Sequence, residues 1–405
     1  VKKTVCVLAC VFCMAAVLTA QAGTVQKVTL SELKQQMPDR LQMTVTTTAG
    51  DVIEVDAPIL LPETDTLPVV VVQRATFDTT NLHDVFPFPD FYNREYSKGM
   101  LQSMLKDDRP GNNLLVAYAE EKRGRLSGRV DSTCRGYLPP GETPPGNDVT
   151  VEEIMAFITD TVRRFNCDTE PDIRVVKAHA LTGLYHTKRI KTPEGWTEYT
   201  IDETKPVKNA GKGAWELELA QYMYGVRIFD DYLPYSSYLC PNNPNDWNSP
   251  VWLPAKYLDD KTFNILLCLV KEKDILIEDA PLLSYESLVQ TLQNRMKEGK
   301  LHSIYQLTLG YTIKIVKGDS PYLDDARQSH NMDARFVLTP GWEIIGFDEK
   351  NGADAKSVGL EAPTKEMVLE PERYSRYGLT YNVRMDADTG RFLLDWDALE
   401  YDLAE

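Results

Sequence analysis

Residue types able to do chemistry are present in this chain, but their spacing seldom brings them together. Five histidines, His83, His179, His186, His302 and His330, are scattered along it. None forms His-Glu-x-x-His, the spacing that sets two imidazoles on one helix face for zinc. His179 and His186 lie in one strand region, and their odd separation points them to opposite faces of a regular strand. Asp388-Thr-Gly390 has the lettering of an aspartic-protease triplet, yet Arg391 would set a large cation beside the shared proton, so it reads as a hairpin turn. Asp386 and Asp388 alternate as in a calcium loop, but the glycine falls one place early for an EF-hand; a weak contact of the extracellular type stays open. Gly318-Asp-Ser320 has the letters of an esterase nucleophile block but sits mid-chain in a polar loop. Adjacent acids at Asp230-Asp231, Asp259-Asp260 and Asp324-Asp325 read as solvated pairs. Glycosidase carboxylates would have to face a cleft from different elements. The expectation is therefore no catalytic constellation, no metal site and no cofactor.

One cluster stands out for recognition. Tyr222, Tyr224, Tyr232, Tyr235 and Tyr238 crowd a short window, with Trp247 and Trp252 close behind. Aromatics with polar tips suit protein or sugar surfaces, and equally suit a core. Tyr222 and Tyr224 are two apart on an expected strand and would share one face.

Charge narrows the partner. The chain has 60 acidic and 44 basic residues, a net charge of −16. Such a surface repels nucleic acid and anionic lipids, and favours neutral or cationic partners. With 43% hydrophobic residues it can bury a sizeable core. The first residues are expected to be a secretory signal: Lys2 and Lys3, an apolar stretch from Val5 to Leu18, and Ala20-Gln21-Ala22, with cleavage after Ala22. Val7-Leu8-Ala9-Cys10 looks like a lipid-attachment site but follows too few apolar residues. No later stretch is long and apolar enough to span a bilayer. The implied location is secreted, or the outer face of the cell envelope.

Cleavage removes Cys6, Cys10 and Cys13 and leaves Cys134, Cys167, Cys240 and Cys268, which allow three pairings. Cys134–Cys167 is favoured because the two flank a Pro/Gly-rich segment; Cys268 sits in an apolar run where a buried thiol fits as well.

The elements that would position these residues follow from periodicity. Strands are expected at Leu41–Thr47, Val52–Ala57, Pro68–Gln73 and Leu114–Ala119, with a helix over 95–106. Residues 136–148 are a Pro/Gly linker. Thr150-Val-Glu-Glu153 is a capping box that starts a helix ending near Phe165. Strands follow at Ile173–Tyr185, Trp215–Ile228, Phe263–Val270 and Ile275–Ile277. The order then repeats: Ser284 caps a helix with Leu288, Val289, Leu292 and Met296 on one face. Tyr305–Ile315, Arg335–Leu338 and Trp342–Ile345, parted by Pro-Gly, and the hairpin Tyr381–Leu394 come next.

Ser284-Tyr-Glu286, Leu309-Gly-Tyr311, Pro340-Gly-Trp342 and Met385-Asp-Ala-Asp-Thr-Gly390 occur in that order. This C-terminal part resembles the PepSY-like modules of exported bacterial proteins. It is similar in particular to the C-terminal domain of Yyc-type two-component regulatory proteins, with Asp386-Ala387 where those carry Asn-Ala. The whole chain resembles an uncharacterised exported or lipid-anchored family of clostridial gut bacteria, whose lipid-attachment cysteine has no clear counterpart here. Periodicity gives a strand-rich region over 23–135 and a helix-then-strands order that occurs twice, over 149–280 and 281–405; with the C-terminal resemblance, the expectation is an α+β fold with two PepSY-like helix-plus-antiparallel-sheet units. The resemblance implies a module that binds or inhibits other exported or membrane proteins and brings no catalytic residues. The expected function is a non-enzymatic exported binding or regulatory protein whose partner is an envelope or extracellular protein or a glycan. A secreted hydrolase of peptide or glycan and a glycan-binding module stay open as alternatives.

Overall fold

The computed structural model describes residues 26–78, 114–119, 138–181, 187–191, 197–201, 213–229, 251, 253–259, 262–319, 334–348, 365, 369, 382–393 and 400–403. The signal segment 1–22, Cys134 and the helix expected over 95–106 lie outside them. Among the described residues no helix is long and apolar enough to cross a membrane.

The fold is α+β. Helices α1 (Leu30–Gln36) and α2 (Val151–Arg164) both open on capping boxes. At α2, Thr150 Oγ1 accepts from the Glu153 N–H while the Glu153 carboxylate accepts from the Thr150 N–H at 2.8 Å. Two orphan amides are thereby satisfied. α2 buries Ile154, Ile158 and Val162 at helical spacing and ends on Arg163 and Arg164, where the helix dipole favours cations. Helix α3 (Tyr285–Lys297) is capped by Ser284 and buries Leu288, Leu292 and Met296. Each such aliphatic side chain contributes roughly 1.5–3 kcal/mol by leaving water.

The first strands are β1 (Lys27–Val28), β2 (Arg40–Thr46), β3 (Val52–Leu60), β4 (Val69–Arg74), β5 (Leu114–Ala119), β6 (Asp172–Leu181), β7 (Thr187–Lys191), β8 (Thr197–Ile201) and β9 (Ala214–Met223). The remainder are β10 (Val226–Arg227), β11 (Pro254–Asp259), β12 (Thr262–Cys268), β13 (Val270–Ile277), β14 (Leu282–Leu283), β15 (Leu301–Val316), β16 (Arg335–Asp348), β17 (Asn382–Asp386) and β18 (Glu400–Tyr401). A mixed eight-stranded sheet runs β13–β4–β16–β15–β3–β2, with β17 added to β16 and β18 to β15. A second sheet runs β10–β9–β11–β12–β5, with β6 on β9. Leu307, Leu309, Tyr311 and Ile313 alternate along β15 into the core, and α3 packs on β15 and β2.

The sheets do not follow the expected division of the chain. Strands β2, β3 and β4 from the N-terminal region share a sheet with β15 and β16, while β5 joins the second sheet. The run Phe263–Val270 is two strands: the chain leaves one sheet after Cys268 and enters the other at Val270. Segment 138–149 is docked rather than free. The Leu138 N–H donates to Ala180 O, the Gly213 N–H to Pro145 O, and the Asn147 side chain to Gly213 O.

Pro340-Gly341 does not split β16 as expected. The Pro340 carbonyl accepts from the Ala387 N–H, so its missing N–H faces the same side. There β16 changes partner, from β4 over Arg335–Leu338 to β17 over Gly341–Ile345. A proline costs little at such a gap. Gly341 is required because a Cβ there would lie 2.3 Å from the Thr312 methyl on β15.

Candidate binding surface

Tyr222 and Tyr224 do not share a strand face. The chain reverses between them and Val226: Tyr224 (φ 54°) and Gly225 (φ 74°) form a two-residue turn joining β9 to β10, with Met223 opposite Val226. Both central residues of this turn need positive φ, which Asn and Gly meet readily and tyrosine does not. A non-glycine residue held there costs about 1–2 kcal/mol. The tyrosine at this position hid the hairpin in the sequence.

Each tyrosine is engaged. The Arg174 guanidinium stacks 4.4 Å above the Tyr222 ring and is itself paired with Asp172 at 2.6 Å. The Tyr224 hydroxyl donates to the Glu272 carboxylate on β13. Burial and then that carboxylate push the Tyr224 hydroxyl up to about 12, because both disfavour phenolate. Tyr224 stays 40% exposed. Tyr232, Tyr235, Tyr238, Trp247 and Trp252 lie outside the described residues.

Tyr224 leads onto a surface that the sequence did not reveal. Strand β13 ends the eight-stranded sheet, with β4 on one side and no strand on the other among the described residues. Its first half is tied down. The Gln221 side chain donates to Val270 O at 2.6 Å and accepts from its N–H at 2.9 Å, while Lys271 pairs with Asp168. Its second half is open, and Ile275, Leu276 and Ile277 are 40%, 38% and 39% exposed. Irregular pairing between Glu272 and Asp274 and between Ile275 and Ile277 bends the strand.

Behind the β9–β10 hairpin lies a cluster of buried charge. Glu343 on β16 receives the Arg384 guanidinium from β17, its cross-strand neighbour, and Arg227 from β10 at 3.7 Å. Arg227 also reaches Glu218 at 3.0 Å, and Lys177 approaches that acid at 3.7 Å. Burial alone would push the Glu343 carboxyl up, but Arg384 and Arg227 hold it below the usual glutamate range. Phe229 lies under Arg384 at 4.3 Å and packs on Gly310, where a Cβ would come within 2.6 Å of its ring. The Phe229 N–H donates to Tyr311 O, and Ile228 bridges to Tyr311, so the hairpin is latched to β15. These charges join two sheets.

The other sequence candidates resolve similarly. Asp386 pairs with Lys314 and accepts from the Asp388 and Thr389 amides at 3.0 and 2.9 Å, so Asp386–Gly390 is a turn. Asp388 pairs with Lys27. Asp319 takes Arg335 at 2.9 and 3.0 Å. Among the described residues no three histidine, cysteine or acidic side chains gather as a metal site. Cys167 is a half-buried free thiol, raised in pKa chiefly by burial, and its expected partner Cys134 lies outside the described residues.

No family model and no curated protein matches the chain. Among solved structures, it is similar to an uncharacterized protein from Eubacterium rectale ATCC 33656. That likeness covers 89% of this chain and 96% of the other, at 11% identity and a TM-score of 0.38.

Proposed function

We propose that this chain is an exported, non-enzymatic binding or regulatory protein, built on PepSY-like helix-plus-sheet units, that meets a protein partner outside the cytoplasmic membrane. The observation that carries the reading is the open half of β13: three consecutive exposed aliphatic residues on a sheet edge, on a strand whose Glu272 takes the hydroxyl of a tyrosine held at positive φ. Exposed apolar side chains along an uncovered sheet edge are costly to solubility and mark a site for pairing with another strand. Backbone strain likewise gathers where function over-determines geometry. A protein partner is favoured over a glycan because the Tyr222 ring is already stacked under Arg174. The acidic surface and the expected N-terminal signal support a partner met after export.

The test is capture from cell-envelope extract by the immobilised chain, set beside an Ile275→Lys/Ile277→Lys variant. A protein held by the parent and released by the variant supports the reading. If the parent holds none, or both hold the same proteins equally, the reading fails.

A further inference from the structure

Resting on that binding reading, we infer that the open half of β13 takes up an extended, apolar segment of the partner bearing lysine or arginine, as one more strand of the eight-stranded sheet. Three observations converge. Residues 273–277 have β4 on one side and no strand on the other among the described residues. An edge of this kind is a template for strand addition, and five residues span about 17 Å.

The side chains are arranged for an added strand. Ile275 pairs with Val70 and Ile277 with Val69, adjacent residues of β4 that face opposite sides of the sheet. The two isoleucines therefore point to opposite faces, and each can meet alternate side chains of an incoming strand. Charge at Lys273 and Asp274 and the two pairing irregularities blunt this edge in part, yet its last residues carry no charge of their own. Here Lys273 and Asp274 stop short and three aliphatic residues follow.

Charge selects the occupant. Asp274 and Glu278 are exposed on either side of the aliphatic trio. Of the cations nearby, Lys271 is paired with Asp168 and Lys273 is exposed between Glu272 and Asp274, so acidic residues outnumber basic ones over 271–278. With a net −16 over the chain, a second copy is repelled and a cationic strand is drawn in.

The experiment uses the full chain and fluorescent capped heptapeptides, read by anisotropy at low and moderate salt. One alternates lysine and valine, one glutamate and valine, and one lysine and serine; a fourth is the lysine–valine peptide N-methylated along one edge. The lysine–valine peptide is expected to bind at least tenfold more tightly than the other three. The Ile275→Lys/Ile277→Lys variant is expected to lose at least tenfold while melting like the parent, since both positions are well exposed. Equal binding to the variant, or to the N-methylated peptide, overturns strand addition. Preference for the glutamate–valine peptide overturns the cationic occupant. No binding of any peptide overturns this inference alone if envelope capture still depends on Ile275 and Ile277; if that capture fails too, the binding reading falls with it.

Discussion

Replacing Glu343 by glutamine keeps the side chain's shape and removes the negative charge standing between Arg384 and Arg227. The three side chains are 6%, 11% and 17% exposed, so water cannot take over the lost neutralisation. Breaking a buried pair while leaving its partner charged costs about 3–5 kcal/mol. For a cooperative chain of this size, at about 2.1 cal/mol/K per residue, that corresponds to a fall in Tm of about 4–6 °C. The sign with pH follows from the lowered Glu343 pKa. A depressed carboxyl contributes stability that is present above its unfolded value and is lost as pH falls through the folded one. The gap between parent and variant is therefore full at pH 7 and at pH 5, and closes only below the ordinary glutamate range. Differential scanning calorimetry at several pH values reads this directly. Adding Arg384→Gln to Glu343→Gln should restore part of the loss, because one of the two cations that Glu343 neutralised leaves with it. A variant that melts within 1 °C of the parent at pH 7, or a gap that does not change between pH 7 and pH 3, would refute the placing of this charge at the joint between sheets.

Three further outcomes are expected. Gly310→Ala drives a methyl into the Phe229 ring and the Arg227 carbonyl, loosening the β9–β10 hairpin from β15. It should cost about 1–3 kcal/mol in chemical denaturation and speed amide exchange at Phe229. Thr150→Ala removes the oxygen that caps α2 and should cost about 1 kcal/mol, whereas Thr150→Ser should cost far less. Tyr224→Phe deletes the hydroxyl on Glu272 and should cost about 0.5–1.5 kcal/mol. In labelled protein, the tyrosine ring signal that titrates near pH 12 should vanish in that variant; its persistence would assign the shift to another residue.

The sequence by itself determined the local elements. The capping box at Thr150–Glu153, the Ser284 cap, the apolar face of α3 and the alternation along β15 each lie within a few residues, and each became the element expected. The Asp386–Gly390 turn was legible for the same reason, since its acid binds amides two and three residues on. What only the tertiary structure decided is every relation across the chain. Glu218, Arg227, Glu343 and Arg384 meet although more than 160 residues separate the first from the last. No local pattern announces such a meeting, because strand pairing is chosen by which faces are buried together. Tertiary context likewise placed Tyr224 in a turn that tyrosine does not favour and ran β16 through Pro340 where its outer partner changes. It also left Ile275–Ile277 at a sheet edge. In sequence these three are an apolar strand like any other; in the fold β13 has one neighbouring strand instead of two among the described residues, and the three stand exposed.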